Sequence, residues 1–245
     1  MIVFKNILII LWRIWFYLVM MLPILILLPV LLILLSRAQW YPYFFKIARG
    51  WAAVVLYCCG FFPKINTEEK IDKKQSYMFV ANHTSMLDIL MMFYGINNPF
   101  VFVAKYELSK VLVFGWVYKS ACILVDRKNR QSKKEVFTQA QNRLNNGTSI
   151  CIFPEGGVPD DLNLILDTFK DGAFRLAIDH QIPIVPITFL DNKKHFSFNF
   201  LSGSPGILNM HIHAKIETKG LGQDARGELR NHTRTIILQK LQESN

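Results

Sequence analysis

Cysteine is scarce in this sequence: there are four in 245 residues, and no two of them form a CxxC pair. Cys58 and Cys59 are adjacent within an apolar segment, while Cys122 and Cys151 stand alone. This spacing argues against the disulfide framework that small secreted domains use. We expect all four to be reduced residues that pack in the interior of a protein facing the cytosol.

Acidic residues are absent from the first 67 positions, which carry six lysines and arginines. The whole chain has a formal net charge of +10, so more than half of the excess lies in its first quarter. Half of the residues are hydrophobic (51%) and the mean hydropathy is +0.24, which is too apolar for an ordinary soluble enzyme and too mixed for a channel with many spans. A chain that is basic and apolar at one end favours an anionic membrane surface over nucleic acid as its partner.

Charge of either sign is absent from Ile14–Leu35, a run of 22 residues. As a helix this run matches the ~30 Å hydrocarbon core of a bilayer, with a kink predicted at Pro23 and Pro29. A second, aromatic-rich segment, Trp40–Phe62, suits an interfacial helix. Together they predict an N-terminal helical hairpin embedded in the membrane, which either spans the bilayer or lies within one leaflet. A single transmembrane anchor followed by a soluble helix is an equally good interpretation.

Beyond this segment the pattern changes, so we divide the chain into a membrane-anchoring helical segment, 1–66, and a second domain, 67–245. In the second domain, strand-like apolar runs alternate with helix-like segments. This alternation predicts an α/β fold with a central, mostly parallel or mixed sheet covered by helices. The predicted strands are Tyr77–Ala81, Phe100–Ala104, Ala121–Val125, Ser149–Phe153, Ile184–Phe189 and Ile207–Ile216. The predicted helices are Met86–Tyr94, Glu107–Lys119, Ser132–Asn145, Gly172–His180 and Gln223–Gln242.

Polar residues follow the first predicted strand, and ligands bind beyond the carboxyl ends of strands in open α/β sheets. Asn82-His83 closes this strand, and Asp88 comes five residues after the histidine. The carboxylate could reach back to one ring nitrogen of His83 and leave the other free as a general base. The simpler alternative is a histidine at a helix start whose carboxylate neighbour merely caps the helix.

Two further groups of polar residues follow other predicted strands. Glu155 stands between Pro154 and Gly156, where the proline fixes φ and the glycine permits close backbone approach, although an ordinary tight turn would also explain the pattern. Lys105 and Arg127 lie just past the second and third strands and could hold a phosphate. The alternative for these two cations is surface charge.

Four blocks of this sequence resemble, in the same order, the motifs of the glycerolipid acyltransferases, a family that includes 1-acyl-sn-glycerol-3-phosphate acyltransferases. The resemblance extends over about residues 77–190, and four ordered blocks are far more specific than one HxxxxD motif. The blocks are Asn82-His83 to Asp88, which matches NHxxxxD; Lys105 to Arg127, which is similar to the second block; Phe153 to Gly156, which reads FPEG; and Ile182 to Pro186, which resembles the fourth block.

The resemblance implies that residues 67–245 are an acyltransferase catalytic domain. Its reaction would move a fatty acyl group from an acyl thioester, acyl-ACP or acyl-CoA, to the sn-2 hydroxyl of lysophosphatidic acid, giving phosphatidic acid in phospholipid biosynthesis. Because the acceptor is a membrane lipid and the donor is cytosolic, the protein would sit at the cell membrane with this domain facing the cytoplasm. No nucleic acid partner is implied.

The resemblance also assigns roles to individual residues, with no metal and no bound cofactor. His83 would take the proton from the acceptor hydroxyl, and Asp88 would orient and charge-stabilise His83. The substrate-binding residues would be Lys105 and Arg127 for the acceptor phosphate, with Glu155 and Gly156 shaping the acceptor site.

This sequence departs from the family pattern after FPEG, where Thr-Arg is common but Gly157-Val158 stands here. The details of acceptor binding therefore stay open. Elsewhere, His211 and His213 share one strand face with charged residues, and we interpret that face as solvated rather than metal-binding.

Three alternative functions differ in class or acceptor. An acyltransferase could act on lyso-ornithine lipid or another lysolipid instead. A membrane-bound lipid or thioester hydrolase could use Ser85 as its nucleophile, although the sequence lacks a GxSxG elbow. A membrane-docking module without catalysis would explain the basic N-terminus but not the polar strand ends.

Overall fold

The computed structural model describes residues 2–110, 114–126, 129–158 and 164–244. A seven-stranded sheet lies at its centre, in the order β1-β7-β6-β2-β5-β3-β4. The strands are β1 (Phe61–Thr67), β2 (Met78–Ala81), β3 (Phe100–Lys105), β4 (Ile123–Val125), β5 (Ser149–Ile152), β6 (Ile184–Phe189) and β7 (Gly206–Ile212). The helices are α1 (Ile2–Leu35), α2 (Tyr41–Cys58), α3 (Leu87–Gly95), α4 (Phe114–Ala121), α5 (Arg130–Asn145), α6 (Gly172–Asp179), α7 (Asn192–His195) and α8 (Arg226–Glu243), with short 3₁₀ helices at Ala38–Trp40, Tyr106–Lys110 and Gln223–Ala225.

The sheet is mixed, as the alternation of apolar runs predicts. Strands β2 to β6 pair in parallel, β7 runs antiparallel to β6, and β1 runs parallel to β7. Every residue of the central strands β2 and β6 is buried. Strands covered on both faces require such continuous apolar runs. The α/β fold class is confirmed, and each predicted strand overlaps one of β2 to β7, with differences at the ends. The carboxyl end of β2 therefore opens between β5 and β6.

Two local predictions differ from the structure at element ends. Ala121 is predicted to begin a strand, but it is the last residue of α4, and β4 begins only at Ile123. The helix predicted to begin at Ser132 begins at Arg130, and Asn129 is its N-cap, whose side chain accepts hydrogen bonds from the N–H groups of Gln131 and Ser132. Asparagine caps a helix start as well as serine does, so the earlier residue takes the role.

Strand β1 corrects the prediction that the second N-terminal segment is helical up to Phe62. Helix α2 ends at Cys58, Gly60 adopts a positive φ of 79°, and Phe61 begins a strand that pairs with β7 along its full length. A glycine in the left-handed region ends the helix and turns the chain into the sheet edge. The predicted boundary between residues 66 and 67 therefore falls inside a strand, and the division into two domains stays a prediction.

The predicted helical hairpin is present as α1 and α2, joined by the 3₁₀ turn. Trp51 Nε1 donates to the Met20 carbonyl at 2.9 Å, and Trp15 Nε1 donates to the Cys58 carbonyl at 2.9 Å, so the two helices run antiparallel. Within α1, residues Val3–Leu35 are long and apolar enough to cross a membrane. Pro23 and Pro29 both lie inside α1, which is assigned as one continuous helix.

Helix α2 belongs to the core of the second domain as much as to the hairpin. Tyr41 Oη donates to the Phe100 carbonyl of β3 at 2.8 Å, and Phe45 stacks edge-on against Phe100 at 5.1 Å between centroids. Seven side chains of α2 are buried. Helix α2 thus covers one face of the sheet, a role that its aromatic composition alone does not distinguish from membrane contact.

Candidate active site

The turn after β2 is fixed to the neighbouring strand β6 by Asn82. The Asn82 amide makes two hydrogen bonds to Phe189, the last residue of β6: Nδ2 donates to its carbonyl at 3.0 Å, and Oδ1 accepts from its N–H at 2.8 Å. The side chain is buried, so both bonds are shielded from water. The residue that follows, His83, is therefore held at a defined position at the carboxyl edge of the sheet.

His83 and Asp88 form the close pair that the sequence predicts. His83 Nδ1 lies 2.9 Å from Asp88 Oδ2, which also accepts the backbone N–H groups of Thr84 at 2.7 Å and Ser85 at 2.9 Å. An oxygen that accepts two backbone protons acts as an acceptor toward the ring as well, so Nδ1 carries the proton and Nε2 has the lone pair. The tight turn from His83 to Ser85 thus wraps around one buried carboxylate oxygen.

The imidazole of His83 is fixed in orientation by an aromatic ring. It stacks on Phe153 with 4.2 Å between centroids and 14° between planes. Its side chain keeps 19% exposure, and its Nε2 has no hydrogen-bond partner among the residues that the structure describes. A histidine with one nitrogen anchored and the other open toward solvent has the geometry of a general base.

Asn192 completes this arrangement, and the sequence analysis missed it. Its Nδ2 donates to Asp88 Oδ1 at 2.7 Å, so both carboxylate oxygens of Asp88 are hydrogen-bonded in a fully buried position. Asn192 begins α7, three residues past the end of β6. A search for polar residues beyond every predicted strand, including Ile184–Phe189, would have found it.

Glu155 lies against the backbone of the turn from His83 to Ser85, which is called the catalytic turn below. Its Oε1 accepts the His83 N–H at 2.7 Å, and its Oε2 accepts the Asp167 N–H at 3.0 Å. Burial raises the pKa of Glu155, while these two hydrogen bonds act in the opposite direction. The structure therefore brings the predicted FPEG carboxylate to His83, where it braces the turn between β2 and α3.

Lys105, at the end of β3, approaches the loop that follows β5. Its Nζ would lie 3.4 Å from a Cβ placed on Gly157. The preceding residue, Gly156, is buried and has a positive φ of 86°. The glycines thus allow the loop after β5 to approach the ammonium group closely. Arg127, the second predicted cation, lies outside the residues that the structure describes.

A separate cluster has the chemistry of metal ligands. Glu68, His211 and His213 place one ligand atom each within 4.8 Å of one another. His211 lies on β7, His213 comes directly after β7, and Glu68 comes directly after β1. Glu68 Oε1 accepts from His211 Nε2 at 2.7 Å and lies 3.2 Å from His213 Nδ1. His213 is buried and its Nε2 lies 2.8 Å from Thr188 Oγ1, which corrects the expectation of a solvated face for this residue, while the His211 side chain keeps 14% exposure. Because the three side chains satisfy one another, we interpret the cluster as a link between strands.

A family model described as "Acyltransferase" matches residues 63–190, which is more than half of the chain. The chain belongs to the acyltransferase family. The matched range includes every residue predicted for the site and the strands β2 to β5, whose carboxyl ends these residues follow or form. Asn192 lies just past its end.

Individual relatives agree with this family. The chain is 32% identical over 156 residues to a "Probable 1-acyl-sn-glycerol-3-phosphate acyltransferase" from Mycoplasma pneumoniae, covering 62% of this chain and 58% of that relative. It is 30% identical over 208 residues to the 1-acyl-sn-glycerol-3-phosphate acyltransferase of Saccharomyces cerevisiae, covering 84% of this chain and 67% of that relative.

A solved structure has the same fold. The crystal structure of the 1-acyl-sn-glycerophosphate (LPA) acyltransferase PlsC from Thermotoga maritima superposes with a TM-score of 0.79 at 22% identity, and the match covers 99% of this chain and 97% of that one. The shared architecture therefore includes the N-terminal helices as well as the sheet.

Proposed function

We propose that this acyltransferase moves an acyl group from a thioester donor to the sn-2 hydroxyl of lysophosphatidic acid and so forms phosphatidic acid. The observation that carries the proposal is the His83–Asp88 pair, with Nδ1 engaged at 2.9 Å and Nε2 open. The names of the relatives from Mycoplasma pneumoniae and Saccharomyces cerevisiae support lysophosphatidic acid as the acceptor.

The chemistry follows from the protonation of the ring. His83 Nε2 removes the proton from the acceptor hydroxyl as its oxygen attacks the thioester carbonyl. The tetrahedral intermediate collapses, the C–S bond breaks, and the departing thiolate takes the proton back from His83. Asp88 stays a carboxylate and stabilises the imidazolium that forms between these steps. Four hydrogen bonds to Asp88 hold it in place for this role.

Substrate binding at this site uses charge at the strand ends. Lys105 and Arg127 bind the acceptor phosphate, and Glu155 and Gly156 shape the acceptor site. The donor is acyl-ACP or acyl-CoA, used as a co-substrate and not as a resident cofactor. The apolar helix α1 keeps the protein at the cell membrane, with the catalytic domain on the cytoplasmic side where the donor is found.

The hydrolase alternative depends on Ser85 as a nucleophile, and its surroundings argue against that role. The side chain is fully buried, and its Oγ donates to the Phe196 carbonyl at 2.5 Å and accepts from the Leu87 N–H at 3.1 Å. A hydroxyl committed in this way is not open to a substrate carbonyl. Direct attack by the acceptor alcohol on the thioester needs no such nucleophile.

The decisive experiment is turnover of the purified protein on lysophosphatidate with each donor type. We expect phosphatidate with at least one donor, and a loss on the order of 100- to 10,000-fold in His83→Ala at unchanged folding. Ser85→Ala serves as the comparison and should retain far more activity than His83→Ala. Release of free fatty acid in place of phosphatidate, or His83→Ala activity within about tenfold of wild type, would refute the proposal.

A further inference from the structure

Arg13 is a buried charge on the largely apolar helix α1. Its side chain is 1% exposed, and its guanidinium group forms no ion pair with the acidic residues that the structure describes. It binds backbone carbonyls instead: Nη2 donates to Ser197, Asn199 and Ser202, each at 2.8 Å, and Nε donates to Ser202 at 3.2 Å. One side chain of α1 thus organises a single loop, 197–202.

The 197–202 loop has its polar groups inside and its apolar side chains outside. The N–H groups of Asn199, Leu201 and Ser202 find acceptors within the loop itself. Phe198, Phe200 and Leu201 are meanwhile 55%, 46% and 51% exposed. A loop in water usually shows the opposite arrangement, because its backbone is satisfied by solvent and its large apolar side chains turn inward.

The loop lies beside an apolar stretch of α1. Leu11, Trp15 and Leu18 are close to Arg13 in the sequence of the helix and are exposed, and the guanidinium carbon of Arg13 lies 5.3 Å from the Phe200 ring centroid. Helix α1 is also the candidate membrane span. Aromatic and leucine side chains beside such a helix are typical of the membrane–water interface.

The other end of the same segment contacts the catalytic turn. Ser85 Oγ donates to the carbonyl of Phe196, the residue directly before the loop. Asn192, four residues before Phe196, donates to Asp88. Residues 192–202 therefore contact the His83–Asp88 pair at one end and Arg13 of α1 at the other.

We propose that the 197–202 loop is a lipid-contact element, in which Phe198, Phe200 and Leu201 enter the interface of the bilayer beside α1. Arg13 takes the place of water for the loop carbonyls, which is the condition for irregular backbone to lie close to lipid. Residues 192–202 also contact the catalytic turn, so the depth of the loop in the interface sets the distance of His83 from the lipid head groups. This inference adds a membrane contact to the proposed function, and binding of the loop to lipid is measurable without turnover.

The first test places an environment-sensitive NBD label on Phe198→Cys in the full-length protein, with Cys58→Ser to remove the exposed native thiol. The matched control is Phe137→Cys on α5, another exposed phenylalanine that lies far from this loop in the sequence. The protein is reconstituted into phosphatidylcholine–phosphatidylglycerol vesicles. We expect nitroxide-labelled lipids to quench the label at 198 but not at 137, and aqueous iodide to do the reverse.

The second test measures acyl transfer in Phe198→Ser/Phe200→Ser. We expect kcat/KM on vesicle-presented lysolipid to fall about tenfold, with a short-chain, monomeric lysolipid used as well as by wild type. Iodide quenching at 198 equal to that at 137 would overturn the proposal. Shielding from iodide without quenching by lipid nitroxides would also overturn it, since a protein surface would then cover the loop. Loss of turnover in wild type itself would refute the proposed function while leaving the quenching result intact.

Discussion

Asn192 Nδ2 lies 2.7 Å from Asp88 Oδ1, so the carboxylate that orients His83 is itself held by an amide from the segment after β6. The Asn192 Oδ1 atom is buried without a hydrogen-bond partner among the described residues. A buried unpaired oxygen lowers the free energy of unfolding. The contribution of this amide is therefore to hold the Asp88 carboxylate and not to stabilise the fold.

Replacing Asn192 with alanine tests this relationship. A hydrogen bond to a charged group contributes roughly 1.5–3 kcal/mol, so we expect kcat to fall by about 10- to 150-fold at 1.4 kcal/mol per decade. The KM for the acceptor should barely change, because the amide acts on the base and not on the substrate.

Asn98→Ala is the matched control for Asn192→Ala. Asn98 is also a buried asparagine, and it binds the carbonyls of Asp72 and Gln75 before β3. We expect this variant to lower Tm while leaving kcat unchanged. Equal kcat losses in the two variants would show that Asn192 affects activity only through the stability of the fold.

Glu155→Gln tests the brace on the catalytic turn. The amide keeps one acceptor oxygen, so either His83 N–H or Asp167 N–H is left facing a donor. We expect a loss of about 1–3 kcal/mol in the free energy of unfolding together with a lower kcat, and larger losses in Glu155→Ala. Glu228→Gln, an exposed carboxylate on α8, should change neither. Tm and steady-state kinetics on the same preparations decide the matter.

Lys105→Ala and Arg127→Ala test the predicted phosphate clamp. A charged hydrogen bond is worth roughly 1.5–3 kcal/mol, so each variant should raise the KM for lysophosphatidate about tenfold or more with kcat nearly unchanged. The KM for the donor should stay constant. Lys219→Ala, an exposed lysine before α8, is the control.

The acceptor itself distinguishes this clamp from the lyso-ornithine alternative. If wild type used an acceptor without a phosphate monoester as well as lysophosphatidate, and neither variant weakened either reaction, the two cations would not bind phosphate. An acyltransferase for another lysolipid would then be the better interpretation.

Stability should depend on pH through His213. Burial, with the nearby His211, lowers the pKa of His213 to about 4 from the ordinary 6.5. The folded state thus resists protonation that the unfolded chain accepts, so the stabilising contribution is complete above pH 6.5 and is lost as the pH falls through about 4. We expect Tm to drop across this window in wild type and to drop less in His213→Asn. His232→Asn, on the exposed face of α8, should follow wild type.

The residues that the sequence analysis expected at the ends of buried apolar strands lie there in the structure. His83 follows β2, Glu155 follows β5 and Lys105 ends β3, and parallel neighbours bring these ends to one edge. Local chain order was enough for them because each strand is recognisable by its own composition.

Asn192 and β1 needed information that lies far apart in the chain. The contact of Asn192 with Asp88 depends on β6 lying next to β2, a choice among strand orders that periodicity does not make. The segment Phe61–Thr67 mixes apolar residues with Pro63 and Lys64, so nothing in it shows that β7 will pair with it. The sequence left helix α2 open between a membrane helix and a soluble helix for a related reason, since aromatic side chains suit both lipid and a protein core.

The position of β1 at the sheet edge has a consequence for synthesis. β1 ends at Thr67, but its partner β7 begins only at Gly206, so the ribosome releases one long before the other. Contacts so distant in sequence form late and slowly, and an unpaired strand invites aggregation meanwhile. Helix α1 leaves the ribosome before β1, and its insertion into lipid would keep each nascent chain apart from its neighbours. Chains arrested before residue 206 should therefore stay protease-sensitive within residues 61–67, and they should aggregate once released from the membrane.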